Sequence, residues 1–206
     1  MPQAAGRRRP ALVAVRTLAC SLLCSQFWTS AAAAPPAPPA PAMLAACAAC
    51  HEPGGGAYSA RVPKLAGQPK LFIENQLVLM REGLREVAEM RGIVAALKDE
   101  EIIALATHYA ALPLARPTGP VQAEKYRLGA QTSRAMFCGS CHLPDYAGQA
   151  QVPRLAGQNE AYLVLAMKEF RDRPGPGRDT IMSAALQGLK DSDMANLAHY
   201  LAHHRP

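Results

Sequence analysis

"CAACH", residues 47–51, and "CGSCH", residues 138–142, decide how this chain of 206 residues reads. Each places two cysteines three apart, with a histidine directly after the second. Of the six cysteines, Cys20 and Cys24 lie in the amino-terminal apolar stretch, and the other four all fall in these two motifs. Two cysteines on one helical turn can add across the two vinyl groups of a porphyrin, which brings the next histidine beneath the iron. That is the c-type haem attachment pattern. Rival chemistries fit less well. Disulfides suit an exported chain, but bridging neighbouring cysteines closes only tiny loops and leaves both histidines without a role. A thioredoxin-like motif needs a βαβ setting that is absent here. Zinc knuckles stand much closer together than the 87 residues between these pairs. The expectation is two covalently bound haem c groups, attached through Cys47, Cys50, Cys138 and Cys141, with His51 and His142 as proximal iron ligands.

Outward from these motifs the chain is written twice. Cys47 and Cys138 stand 91 residues apart, and "VPKLAGQ" (62–68) returns as "VPRLAGQ" (152–158). Phe72-Ile73 reappears as Tyr162-Leu163, and "ALKDEEIIALATHY" (96–109) as "GLKDSDMANLAHY" (188–200). A period this long is too great for a solenoid and points to two duplicated domains. "LPLARPTGP" (112–120) makes the natural connection, and the expected layout is one domain over 43–112, a linker over 113–122 and a second domain over 123–206. "QPKLFIENQLVLMREG" (68–83) and "QNEAYLVLAMKEFRD" (158–172) carry helical periodicity, with Pro69 suited to a first turn. Final helices are expected from Asp99 and Asp191, each placed to cap its amino end. No alternating strand pattern occurs, so the fold class is all-α, twice over. Aromatic residues make up only 5% with a single Trp, which is thin for two independent cores. A covalent haem at the centre of each domain supplies the missing bulk.

A c-type iron with a sixth ligand from methionine suits electron transfer, because the soft thioether favours reduced iron and closes the site. Met90 follows His51 by 39 residues and Met182 follows His142 by 40, and each precedes its "LKD" by the same interval. Matched placement separates both from methionines that merely fill a core. Met182 follows "RPGPGRDTI" (173–181), a loop able to aim a side chain. Met90 follows "LREVAE" (84–89), which also reads as continued helix, and Met80 in an apolar helical stripe is the alternative. His108 and His199 read as ordinary helix residues, and His203 and His204 as solvated. Pro63 and Pro153 either anchor the second nitrogen of each proximal histidine or simply make turns. Tyr58, Tyr146, Gln68 and Gln158 are candidates to reach haem propionates or edges.

The amino terminus reads as an export signal over residues 1–34: a basic "GRRRP", an apolar stretch and small residues before a cut near Ala34. A Pro/Ala-rich leader, residues 35–42, follows. Loss of the signal removes four arginines and no acid, so the formal charge falls from +6 to +2 and excludes a basic nucleic-acid binder. No later segment is long or apolar enough to span a bilayer, so the expectation is a soluble periplasmic protein without an integral membrane segment after cleavage. The first half carries −1 and the second +3, which orients the second lobe toward an acidic partner, with Arg171 and Arg173 as docking charges.

Taken together, C-x-x-C-H, a loop, P-[KR]-L-A-G-Q, then Met, L-K-D and a closing helix, in both halves, resembles the dihaem cytochrome c4 family over about residues 43–203. The resemblance implies two tandem class I cytochrome c domains related by an approximate twofold. It also implies periplasmic electron transfer without substrate chemistry, toward a haem–copper terminal oxidase. A quinol-oxidising cytochrome bc complex or a dehydrogenase is the expected donor. Two other classes compete. The chain could be the cytochrome subunit of a dehydrogenase, such as a sulfide-oxidising flavocytochrome. A dihaem peroxidase needs an open iron, against a matched methionine in each half.

Overall fold

The computed structural model describes residues 37–59, 61–114 and 119–205. The expected signal, the start of the leader and the middle of the linker lie outside the described residues. Within them run α1 (Pro41–His51), α2 (Lys70–Arg81), α3 (Ala88–Val94), α4 (Asp99–Ala111), α5 (Ala123–Ala135), α6 (Cys138–His142), α7 (Glu160–Asp172), α8 (Thr180–Leu186) and α9 (Asp191–His203). Among the described residues no strand forms, and one isolated bridge pairs Gln149 with Val152. None of these helices is long and apolar enough to cross a membrane.

The second half is organised around α9, which packs against α5 and α7. Met194, Leu197, Ala198 and Leu201 of α9 meet Leu163 and Met167 of α7 at helical spacing. The α5–α9 crossing is close because Gly129 faces Asn196 and Tyr200, where a Cβ would come within 2.6 Å of the tyrosine Cβ. The first half packs α2 against α4 through Ile73, Leu105, Ala106 and Tyr109, with Met43, Leu44 and Cys47 of α1 leaning on this cluster.

Equivalent devices recur at the helix ends. Arg81, closing α2, donates to Leu97 O at 3.0 Å and to Asp99 at 2.7 Å. Arg171 on α7 donates to Leu189 O at 2.8 Å and meets Asp191 at 2.9 Å. Each arginine thus ties the end of one helix to the start of the last. Arg171 is therefore a brace rather than a docking charge, and of the expected pair only Arg173 stands exposed. Asp99 and Asp191 do not cap their helices either. They are the first helical residues, and Glu101 and Asp193 reach back to accept from the Lys98 and Lys190 amides at 2.8 and 3.0 Å. Pro69 sits at the N-cap of α2, one residue before the expected first turn. At the equivalent place in α7, Asn159 caps through its side chain onto Ala161 and Tyr162.

Candidate functional site

α1 ends on Cys47, Cys50 and His51, and α6 consists of the matching pentapeptide, so each trio lies on a single helical turn. The first cysteine of each pair is half-buried against a core cluster and the second is exposed; all four are free. Each histidine is the last residue of its helix. The next residue, Glu52 (φ 56, ψ 151) or Leu143 (φ 69, ψ 157), takes a conformation that glycine favours. Holding a larger residue there costs about 1–3 kcal/mol, the kind of strain that gathers at functional sites.

That kink starts the loop whose far end returns a proline carbonyl to the imidazole. His51 Nδ1 lies 3.0 Å from Pro63 O, and His142 Nδ1 lies 2.8 Å from Pro153 O. A carbonyl only accepts, so Nδ1 carries the proton and Nε2 keeps a free lone pair. Burial pushes both imidazoles below their ordinary pKa, against the opposing pull of the proline carbonyl. Both rings, 6% and 4% exposed, are thereby held neutral and in a fixed orientation.

Met90 and Met182 are each the third residue of a seven-residue helix, α3 and α8, and both are half-buried. A loop over 82–87 separates α2 from α3, so Met90 does not ride on a continued α2. Asp179 accepts from the Met182 amide at 2.9 Å, whereas Val87 gives α3 no side-chain cap. Met80 comes seven residues after buried Ile73, as Phe170 comes seven after Leu163. Phe170 packs against the second core, whereas Met80 is half-buried and is not among the side chains packed on the first core.

Gln68 and Gln158 are not free to reach a cofactor. Gln68 accepts from the Arg154 amide and donates to the Arg154 carbonyl, both at 3.0 Å. Gln158 does the same to Lys64, at 2.7 and 2.9 Å. Lys64 Nζ donates to Gly157 O and Arg154 Nε to Gly67 O, again both at 3.0 Å. The duplicated V-P-[KR]-L-A-G-Q segment is a reciprocal clasp between the halves. Its signal in the sequence was the exact return of a glutamine that no helical period requires. Tyr58 is 64% exposed, and buried Tyr146 is bonded to Ser133 Oγ at 2.8 Å behind Cys138. His203 and His204 are half-buried rather than solvated: His203 bonds to His199 O at 2.9 Å and His204 packs on Tyr146 and Tyr200. His199 is wholly buried, with Nδ1 donating to Glu160 and Nε2 accepting from the Gln122 amide, each at 2.9 Å. Neither of its nitrogens is open to a metal.

The donor set fits haem c. Free thiol pairs, neutral histidines with open Nε2 atoms and two small cores all match that group. A further feature points the same way: Arg154 Nη1 is buried without a hydrogen-bond partner. It lies in a crevice between the halves lined also by Lys64, Gln68 and Gln158. Burial holds Lys64 and Arg154 below their ordinary pKa values, against the opposing pull of Glu52 and Asp145.

Two such centres in one helical body define a dihaem c-type cytochrome. The cytochrome c family model matches residues 126–205, within the second half. The thiosulfate dehydrogenase electron acceptor of Thiomonas intermedia is 34% identical over 202 residues, covering 91% of this chain and 90% of the relative. Cytochrome c4 of Pseudomonas aeruginosa is 31% identical over 160 residues, covering 73% of this chain and 80% of the relative. Reduced cytochrome c4 from Pseudomonas stutzeri superposes with a TM-score of 0.73 at 26% identity, over 82% of this chain and all of that one. The chain belongs to the cytochrome c4 family. It is an electron carrier, not an enzyme, and carries two covalent haem c groups.

Proposed function

We propose that Cys47 and Cys50 hold the first haem, with His51 and Met90 as its iron ligands, and that Cys138, Cys141, His142 and Met182 serve the second. Two domains, 43–112 and 123–206 joined through 113–122, then work as one periplasmic carrier in a respiratory chain. When bound, haem c supplies one-electron chemistry at its iron. The chain's own part would be to keep that iron's ligands in place while its oxidation state changes. The Pro63 and Pro153 carbonyls fix the tautomer and angle of each imidazole. With haem bound, the Met90 and Met182 thioethers would supply the remaining ligands, which excludes small molecules and favours the reduced state.

The observation that carries this reading is the recurrence of the histidine–proline hydrogen bond in two halves joined by a reciprocal clasp. Met182→Ala should open the second reduced iron to carbon monoxide and lower its potential, and Met90→Ala should do the same at the first. If Met90→Ala changes nothing while Met80→Ala opens the first haem, Met80 is the ligand.

The carrier takes electrons from a quinol-oxidising cytochrome bc complex and delivers them to a terminal oxidase. A second reading, service to a single dehydrogenase, draws support from the acceptor role named for the Thiomonas relative. Stopped-flow reduction separates the two. Rapid reduction by a bc complex followed by oxidation at the oxidase supports the first. Rapid reduction by a thiosulfate dehydrogenase with its substrate, and slow exchange with the bc complex, supports the second.

A further inference from the structure

The halves also touch away from the clasp, where the loop before α8 meets the loop before α3. Gly177 has φ +73, and a Cβ built there would overlap Leu84 O and lie 2.8 Å from Arg85 Cα. The obstructing atoms are backbone, so no rotamer change could make room. Gly177 precedes Met182 by five residues, and Leu84 and Arg85 precede Met90 by six and five, so the contact meets both loops at nearly the same distance from their methionines.

Each loop is also braced from behind. Arg178 donates to Glu169 on α7 at 2.9 Å, and Arg85 donates to Gln76 on α2, each reaching an acceptor nine residues earlier. Arg178 Nε adds a bond to Arg173 O at 2.9 Å within its own loop. A loop anchored to its helix on one side and pressed on another backbone on the other cannot absorb a displacement alone. It hands that displacement across.

We propose that Gly177 is a positioning residue through which the two methionine loops are mechanically coupled, so that moving the second loop moves the ligand of the first haem. The proposal rests on Met90 being that ligand. In the folded dihaem protein, Gly177→Ala should shift the paramagnetic NMR signal of the first haem's axial methionine, and that haem's potential, although residue 177 lies in the second half. Two controls isolate the contact. Gly175, in the same loop, has open space around it, and Gly188 has a φ of +82 with nothing within 4 Å. Gly175→Ala and Gly188→Ala should leave the first haem's signal in place.

Arg178→Gln adds no atoms at the contact, so it tests the coupling even if Gly177→Ala does not load both haems. It should loosen the second loop and still shift the first methionine signal. Changes confined to the second haem in both Gly177→Ala and Arg178→Gln would overturn the coupling. The ligand reading fails separately: the first methionine signal would then survive Met90→Ala and vanish in Met80→Ala.

Discussion

Among the described residues, eleven buried residues of the second half join in one core cluster around α9, whereas the first half's cluster gathers four, Ile73, Leu105, Ala106 and Tyr109, with Val94 and Ile102 buried outside it. The second half also brings a thirteen-residue α5 across α9 before its attachment helix begins. In the first half, α1 places Cys47 only six residues after its start at Pro41. Its methionine helix has no side-chain cap, where the other is capped by Asp179. The attachment geometry nevertheless repeats almost atom for atom. Short-range devices, a proline carbonyl on an imidazole or an arginine across two helix ends, depend on few residues and survive divergence around them. Apolar support is distributed over many side chains and gathers into a smaller cluster in the first half. The first half therefore leans more heavily on the group it wraps.

Removing the thioether cysteines gives the largest test of that difference. Cys47→Ala with Cys50→Ala should cost the first half its cooperative fold, read as fast hydrogen exchange across α2 and α4. Cys138→Ala with Cys141→Ala should leave slow exchange in α5 and α9, which retain a side-chain core. Equal collapse of both halves would break the comparison.

The clasp should be where the halves agree. Gln68→Ala and Gln158→Ala each leave a backbone amide and carbonyl of the opposite half without a partner, at a cost of about 1–3 kcal/mol per unsatisfied group. Denaturant unfolding followed at each haem should give losses of the same order, somewhat larger for Gln158→Ala, which also frees the Asn159 amide. A large inequality would mean that one half bears the clasp alone.

Helix capping gives the smallest effect and sharpens the contrast. Asp179→Ala should destabilise α8 by about 1 kcal/mol, and Val87→Asp should steady α3 by up to a similar amount. Amide exchange at Met182 and Met90 measures both. No slowing at Met90 in Val87→Asp would show that α3 is limited by something other than its missing cap.

The sequence carried the attachment motifs, the duplication and the all-α class, because each is written in adjacent residues or in spacing. Pro63 and Pro153 were legible as one of two roles, since a free carbonyl at a turn suits both, and only the loop's return path decides. The partners of Gln68 and Gln158 were not legible. They are backbone atoms some 90 residues away, and backbone carries no residue-specific signature. The helix starts at Asp99 and Asp191 were legible, but the capping role was not theirs, because Glu101 and Asp193, two residues on, reach back to do it. His203 and His204 looked solvated from their place near the end of the chain, yet the last turn of α9 packs them against buried aromatic rings.

The clasp has a further consequence. Each half offers a glutamine and a basic side chain and receives the same pair from its counterpart, which is the pattern of an isologous dimer interface. A single half carrying V-P-[KR]-L-A-G-Q is thus self-complementary, and the whole chain is such a dimer on a covalent tether. Tethering replaces encounter between separate molecules with an effective concentration on the order of mM. The backbone-directed hydrogen bonds of the clasp then form within one molecule, independent of protein concentration.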